Sequence, residues 1–449
     1  MATTTRAAPV SSRPLASPRI KSIQRWALSL LVIGGVVNYV DRATLAVANI
    51  SIQHDLGISV GDMGLLLSAF LWAYAFSQLP VGGLIDRLGP RLLLGVGMFL
   101  WSLAQVLGGL VGSLNQFIVV RALLGIGEAP QFPSGARVVR DWFNIRSRGT
   151  ATGIFNCSSS LGSFIAVPLL TVLMLSFNWR WMFIIMGIVG IVISLVWWAM
   201  HRDPLHVALT PEERAYLTEG DATSHVQRAT LAEWRRLFTF RTTWGMIAGY
   251  FGNIYVLWIY TAWLPFYLEH DRHISVGKTG ILAAIPFFWG FVGGLLGGWI
   301  ADFLVRRGVS PMGSRKYPML ISLIGMAVFT ALTAVASSNA LALVFISCAM
   351  FLCYISTSTA WAMASVAAPS NCTASLGAIQ NFGGYFGGAL APLCTGFIVQ
   401  ASGNFAPALF LGVGIALVSA LLYGLLVRDP VTPTGEPGLA AAGRLAESP

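Results

Sequence analysis

Long apolar runs broken by short polar connections fill this chain from end to end. A helix needs about 20 apolar residues to cross the hydrocarbon core of a bilayer, and twelve runs meet that length. The first six fall at roughly 26–50, 61–85, 91–112, 115–137, 149–175 and 180–201. The second six fall at roughly 243–268, 277–303, 317–336, 340–368, 375–400 and 405–427. The pattern predicts an all-α membrane protein with twelve transmembrane helices.

Polar segments divide the runs into two sets. Residues 1–25 carry five Lys/Arg and no acid and are expected to form a flexible basic tail. The first run is too long for the core of a signal peptide and has no small-residue cleavage site, so it is expected to be a retained span. Residues 26–201 form one six-helix unit, residues 202–241 a central loop, residues 242–428 a second six-helix unit, and residues 429–449 a C-terminal tail. Within the loop, Thr210-Pro211-Glu212-Glu213 has the form of a helix start, an N-cap followed by proline and acids.

The units echo each other. Gly82-Gly83-Leu84-Ile85-Asp86 ends span 2 and Gly298-Trp299-Ile300-Ala301-Asp302 ends span 8, each followed by arginines. Ile154-Phe155-Asn156 in span 5 pairs with Ile379-Gln380-Asn381-Phe382 in span 11. Two same-sense bundles of six helices, related by pseudo-symmetry, are the architecture this implies.

Composition agrees: 55% of the 449 residues are hydrophobic and 10% charged, with a mean hydropathy of +0.71. A soluble domain carries about 25% charged residues. The net charge of +10 has its origin in topology. With both termini on the cytoplasmic side, the tails and cytoplasmic loops hold 23 of the 28 Lys/Arg, whereas the opposite loops hold three, Arg180, Arg272 and Lys278. Lys and Arg are retained on the cytoplasmic side, so the excess requires no nucleic acid as partner. Four of the five cysteines lie in apolar spans and form neither a disulfide framework nor a metal cluster. All six histidines lie at span ends or in loops, and no H-E-x-x-H or G-x-S-x-G stretch is present, so neither metal nor nucleophilic catalysis has its parts. The chain is expected to be no enzyme and to hold no metal.

The informative residues are charges inside the apolar spans: Asp41 and Arg42 in span 1, Arg121 and Glu128 in span 4. A charge at mid-bilayer costs about 2.5–3.5 kcal/mol on insertion scales, so such residues normally face a bundle interior or wet cavity. Arg121 and Glu128 are two helical turns apart, about 10 Å of rise, and share one helix face with Gly125 between them. Structural ion pairs between helices are the alternative reading. The functional one explains the stoichiometry better: with both acids ionised the set is neutral, and protonating either leaves net positive charge and frees an arginine for a carboxylate. Proton and anion then favour each other's binding by linkage. Burial and the arginines pull the acids' pKa values in opposite directions, so which acid titrates is left open.

Motifs give these charges a context. Gly82, Leu84, Asp86, Arg87, Gly89 and Arg91 match the G-x-L-a-D-r-x-G-r-k signature between spans 2 and 3 of the major facilitator superfamily, which the sequence resembles. Tyr39-Val40-Asp41-Arg42-Ala43-Thr44-Leu45 and the stretch Arg121 to Pro133 are similar to the anion:cation symporter family, which includes bacterial permeases for galactonate, glucarate and hexuronates and, more distantly, sialin and the vesicular glutamate transporters. The likeness runs from span 1 to span 12. It implies that Asp41 and Glu128 are the protonation sites, that Arg42 and Arg121 handle substrate, and that Tyr74, Trp361 and Asn381 lie near it. Ser159 stands where the galactonate permease carries Gln, a ligand for polyol hydroxyls, which argues against galactonate itself.

Other residues add shape. Thr152, Asn156, Ser159 and Ser163 form one polar stripe on span 5, either lining the cavity or joining helices. Asp86, Arg87 and Arg91, with Asp302, are expected to form a conformational latch without touching substrate. The reading is a proton-coupled symporter importing a small organic anion by alternating access. A sugar acid (hexonate, hexarate or hexuronate) comes first. Aromatic carboxylates are an alternative, and so is proton-coupled export, although the G-x-x-x-G-P-x-x-G-G signature of exporters is missing from span 5. Protons are the coupling ion and no cofactor is expected. The expected setting is the bacterial inner membrane, with the protein acting as a monomer.

Overall fold

A computed structural model describes residues 16–219, 231–368 and 372–431. Most of the basic tail, part of the central loop and the C-terminal tail from residue 432 lie outside these described residues. Ser17 caps the first helix, its Oγ accepting from Ile20 N at 3.1 Å with Pro18 at the first position. Helix α1 (Pro18–Val47) therefore starts inside the segment that charge assigns to the tail. It is followed by α2 (Val60–Val81), α3 (Arg87–Gly108), α4 (Leu114–Glu128, continued as Gln131–Trp142), α5 (Ile145–Ser176) and α6 (Trp179–Met200). The second set is α7 (Arg241–His270), α8 (Val276–Arg306), α9 (Gly313–Ala334), α10 (Asn339–Ala367), α11 (Thr373–Ser402) and α12 (Ala406–Leu426).

Among the described residues, ten of these helices are long and apolar enough on their own to cross a membrane. The two others depart from a uniform apolar rod for identifiable reasons. Helix α4 is interrupted at Ala129-Pro130, where proline lacks the amide that would continue the ladder. Helix α7 is long, but its tyrosines, tryptophans and glycines lower its hydropathy while its side chains are among the most buried in the molecule.

Just inside the start of α3 the backbone turns sharply at Gly89, whose φ of 77° lies in the region that favours glycine. A Cβ there would sit 2.7 Å from Asp203 Oδ2, so the chain leaving α6 rests directly on this turn. Arg91 holds the same corner, donating to Trp198 O at 3.0 Å while its own carbonyl accepts from Trp197 Nε1 at 3.0 Å.

The halves meet chiefly along two seams, with α1 also packed on α7. In the first, α2 lies against α11: Gly61 N donates to Gln400 Oε1 at 2.8 Å and Ser68 Oγ to Ala389 O at 2.6 Å. Trp72 meets Phe386 edge-on at 4.9 Å and Phe76 meets Phe382 at 6.0 Å. Continuing the same face towards the end that carries the tails, Leu79, Gly83 and Ala378 are exposed and have no partner across the seam. In the second seam, Thr171 of α5 abuts Gly280 of α8, and Phe164 meets Phe288 at 5.8 Å. Beyond it, Asn156, Leu161, Leu295 and Trp299 are exposed. The bundle is thus sealed at the end away from the tails and splayed into a cleft at the tail end.

The central loop is tied to the start of α1. Thr210 and Glu213 form the capping box that the sequence suggests, with Thr210 Oγ1 accepting from Glu213 N at 3.2 Å and Glu213 Oε2 accepting from Thr210 N at 3.1 Å. Ser17 Oγ donates to Glu213 Oε1 at 2.7 Å and Arg19 Nη1 donates to Ala208 O at 3.0 Å. The Ser17 hydroxyl, followed by the Thr210 amide and the more distant Arg19 charge, holds the Glu213 carboxyl below its usual range. A carboxyl depressed in the folded state stabilises this contact at pH values above its ordinary pKa of about 4.3 and loses that contribution as pH falls through the lower folded value. Hydrogen-exchange protection at the first turn of α1, relative to the intrinsic rate at each pH, is therefore expected to fall on acidification through that lower value. In Glu213→Gln it should lose this pH dependence, and an identical acid profile in the variant would contradict the assignment.

Candidate functional site

Gly125 determines where the charges of α4 lie. A Cβ at this position would collide with the Phe70 carbonyl and come within 2.9 Å of the Tyr74 amide, so only glycine lets α4 sit directly on the backbone of α2. That approach carries Arg121 over Phe70, with Cζ 5.2 Å from the ring centroid. It also brings Glu128 to Arg42: Arg42 Nε donates to Glu128 Oε2 at 2.7 Å, a charge-assisted bond at the short end of its range.

The four intramembrane charges form one buried group. Asp41 and Glu128 are 0% exposed, Arg121 2% and Arg42 4%. Asp41 lies within the fields of both Arg121 and Glu128. Only one bond is saturated, however. Among the described residues, both oxygens of Asp41, Oε1 of Glu128, Nη2 of Arg42, and Nε and Nη1 of Arg121 are buried and make no hydrogen bond. Burying polar groups unpaired costs about 1–3 kcal/mol each, and more for charged ones, so a set held together purely for stability would be expected to satisfy them.

Aromatic rings cover the guanidinium of Arg42. Its Cζ lies 4.7 Å from the Tyr39 centroid, 4.7 Å from Tyr74 and 5.2 Å from Phe70. Such faces attract a cation by about 0.5–2 kcal/mol each, more when water is excluded. Tyr74 in turn meets Tyr385 of α11 at 4.8 Å, so the cover is shared by both halves. The sequence reading names Tyr74 and misses Phe70 and Tyr385. Tyr39 stands in the motif beside Asp41 without a role of its own there.

The remaining residues named from sequence fall into three groups. Asn156 and Trp361 are exposed in the tail-end cleft, Trp361 edge-on to Tyr250 at 6.5 Å, and Asn381 is half-buried. On α5, the stripe Thr152, Asn156, Ser159 and Ser163 is partly turned inward: Ser159 Oγ donates to Asn156 O at 2.8 Å and Ser163 Oγ to Ser159 O at 2.9 Å. Hydroxyls in apolar helices commonly return to their own backbone in this way, and the exposed Asn156 amide is offered to the cleft beside them.

The signature residues lie apart from the charges. The side chain of Asp86 lies outside the described residues, Arg87 is exposed, and Arg91 is engaged within its own half as described above. Asp302 is exposed, 3.9 Å from Arg315 Nη2. No group of His, Cys, Asp and Glu suited to a metal ion occurs among the described residues, and the five cysteines are free thiols.

Residues 31–312 match the pattern of the Major Facilitator Superfamily. The chain belongs to the major facilitator superfamily. It is a multi-span membrane transporter and not an enzyme. Among relatives, it is 43% identical to a probable L-galactonate transporter of Escherichia coli K12 over 92% of each chain. It is 35% identical to the D-galactonate transporter of E. coli O6:H1, over 90% of this chain and 95% of the relative. A probable galactarate/D-glucarate transporter of Bacillus subtilis is 32% identical over 92% and 93%. By fold, the facilitator resembles a bacterial homologue of the human lysosomal transporter Spinster, crystallised inward-facing and unoccupied, with a TM-score of 0.75 at 19% identity, covering 93% of this chain and all of that one.

Proposed function

We propose that this facilitator is a proton-coupled symporter that imports a sugar acid across the bacterial inner membrane by alternating access. The observation that carries the reading is the buried group of two acids and two arginines whose donors and acceptors are mostly unspent. While both acids are ionised the group is neutral and Arg42 is held by Glu128. A proton on Glu128 removes that counter-charge, and Arg42 and Arg121 then offer guanidinium donors to a carboxylate. The anion in its turn favours the protonated state, because linkage between two sites is reciprocal.

In this reading Asp41 and Glu128 carry protons and Arg42 and Arg121 bind the carboxylate. Tyr74, Asn156, Ser159, Trp361 and Asn381 contact the rest of the sugar acid from the cleft. Both termini lie in the cytoplasm, which makes the splayed end the inward one. Arg87 and Asp302, exposed while this end is open, belong to the latch that engages when it closes, together with Asp86 and Arg91. Protons are the coupling ion, no cofactor takes part, and the monomer is the working unit. The relatives named for galactonate and galactarate/glucarate support a hexonate or hexarate cargo, and the 43% identity to a probable L-galactonate transporter keeps galactonate among the candidates despite Ser159. The aromatic cover formed by Tyr39, Phe70, Tyr74 and Tyr385 favours an aromatic carboxylate as the second reading.

Purified protein in liposomes tests this directly, with galactonate, glucarate, galacturonate and 4-hydroxybenzoate offered under an inward pH gradient. Accumulation of a sugar acid that collapses when a protonophore dissipates the gradient is the expected result. Accumulation of none of the four, or accumulation indifferent to the gradient, would remove the proposal. The alternating-access component has its own test. A cysteine pair Gly61→Cys/Gln400→Cys, placed where α2 and α11 touch at the sealed end, should cross-link under mild oxidation and stop transport, and reduction should restore it. Full transport by the cross-linked protein would show that this seam need not open.

A further inference from the structure

Between α1 and α4 lies a second run of buried polar side chains, with no part in binding the anion. Asn38, Gln131 and Ser134 are each 0% exposed. Asn38 precedes Asp41 and Arg42 by one turn of α1 and faces Glu128. Gln131 opens the second segment of α4 just after the break that follows Glu128, and Ser134, three residues on, is its neighbour on the same helix face towards the tail end. Gln131 lies against the backbone of α1 one turn below Asn38. Its Nε2 donates to Leu31 O at 3.3 Å and stands 3.5 Å from where a Cβ on Gly34 would be.

Most of the polar atoms along this line are unpaired. Asn38 Nδ2 and Oδ1, Glu128 Oε1, Gln131 Oε1 and Ser134 Oγ are buried without a hydrogen bond. Arg42 occupies only the other oxygen of Glu128. Native interiors resolve such groups with ordered water that makes two to four hydrogen bonds. Apolar residues at 38, 131 and 134 would pack two helices at no such cost. Glu128 thus has one oxygen turned to the arginine and one available to this seam. The charged and titratable groups around it are Asp41, Arg42 and Tyr39 from α1 and Arg121 from α4.

We propose that the Asn38–Gln131–Ser134 seam is an internal water site that hydrogen-bonds the free oxygen of Glu128 and relays its proton towards the tail end, apart from the cleft that admits the anion. The inference rests on the proton-coupled reading above. The Glu128 carboxyl gives its proton to the first water, which passes one of its own protons on; the Ser134 hydroxyl accepts a proton from the last water and releases its own to water on the tail side. A carboxylate remains, every water and the hydroxyl end with the atoms they began with, and one proton has left the seam. Asn38 and Gln131 are positioning residues that hold the water, Ser134 passes the proton, and none of the three touches the anion.

The test separates proton movement from anion movement. Liposomes containing wild type, Gln131→Leu, Ser134→Ala or Ser134→Thr are assayed for galactonate counterflow, which needs no net proton transfer, and for pH-gradient-driven uptake with entrapped pyranine reporting proton influx. Gln131→Leu and Ser134→Ala should keep counterflow within about twofold while gradient-driven uptake and proton influx fall on the order of tenfold or more, the scale of losing a proton-transfer partner. Ser134→Thr, which keeps the hydroxyl, should restore both. Equal loss of counterflow and proton influx would assign the seam a structural role and overturn the relay, as would unchanged proton influx. A wild type that accumulates galactonate while its variants do so equally well sinks the relay and leaves the symport reading standing. A wild type without proton-driven uptake sinks both.

The water itself is read by radiolytic labelling. Met98 is buried and its Cε lies against Gly34 beside Gln131. Oxidation of Met98 in wild type, reduced several-fold in the Gln131→Leu/Ser134→Ala double variant, is expected. A Met98 that resists labelling in wild type overturns the water site.

Discussion

Arg121→Ala is expected to abolish sugar-acid uptake. Arg121 is buried, and two of its guanidinium nitrogens have no partner among the described residues, so in the proposed mechanism its donors are free for the carboxylate. Arg42, by contrast, already holds Glu128. Truncating one partner of a buried, hydrogen-bonded charge pair costs about 2–5 kcal/mol, and each 1.36 kcal/mol is about tenfold. Uptake should therefore fall by roughly two to three orders of magnitude. Arg121→Lys keeps the charge but not the planar fork that fits a carboxylate in two places, and should recover part of the loss. The measurements are uptake of labelled galactonate in liposomes and binding in detergent, on variants that elute as the wild type does. Proton-driven uptake retained by Arg121→Ala would take the arginine out of the site.

Glu128→Gln should have the other large effect, of a different kind. The amide keeps an acceptor for Arg42 Nε but cannot ionise, so on the proposed coupling the transporter is held in the state that a proton would create. Anion binding and counterflow are expected to persist. Accumulation against a gradient is expected to vanish, because a pH difference of one unit drives at most about tenfold accumulation per proton, 1.36 kcal/mol, and that drive no longer reaches the anion. Internal and external concentrations should then equalise. Undiminished accumulation in Glu128→Gln would remove this residue from the coupling.

The fold was largely legible because hydrocarbon is a strict solvent: a span must be apolar for about 20 residues, and few soluble patterns imitate that. The exceptions come from specific side chains. Pro130 splits α4 into two helices, neither long enough to span alone. The start of α1 at Pro18 depends on the Ser17 cap and on bonds from Ser17 and Arg19 to the central loop, nearly 200 positions away in sequence, which hydropathy does not register.

The site divides the same way. Asp41, Arg42, Arg121 and Glu128 stand out in sequence because charge in a membrane is costly. Tyr39, Phe70 and Tyr385 do not, since aromatic residues are ordinary in such helices. Tyr385 in particular joins the cover only because α11 lies on α2. The seam residues were quieter still. Asn38 and Gln131 are neutral amides, and the signal available for them was spacing alone, one turn from a charged residue. In sequence Gly125 is a spacer between two charges, and its role emerges from the neighbouring backbone it allows to approach.

The contact between Tyr74 and Tyr385 ties chemistry to motion. The two rings come from opposite bundles, meet within the α2–α11 seam, and Tyr74 also covers the Arg42 guanidinium. Any rotation that parts the bundles at the sealed end must pull these phenols away from each other, and with them part of the roof over the cation. On the proposed alternating-access cycle, exposure of the positive charge to the outside medium and opening of the outer gate are then a single mechanical event, so a carboxylate arriving from outside would meet its ligand only in a molecule already committed to the outward form.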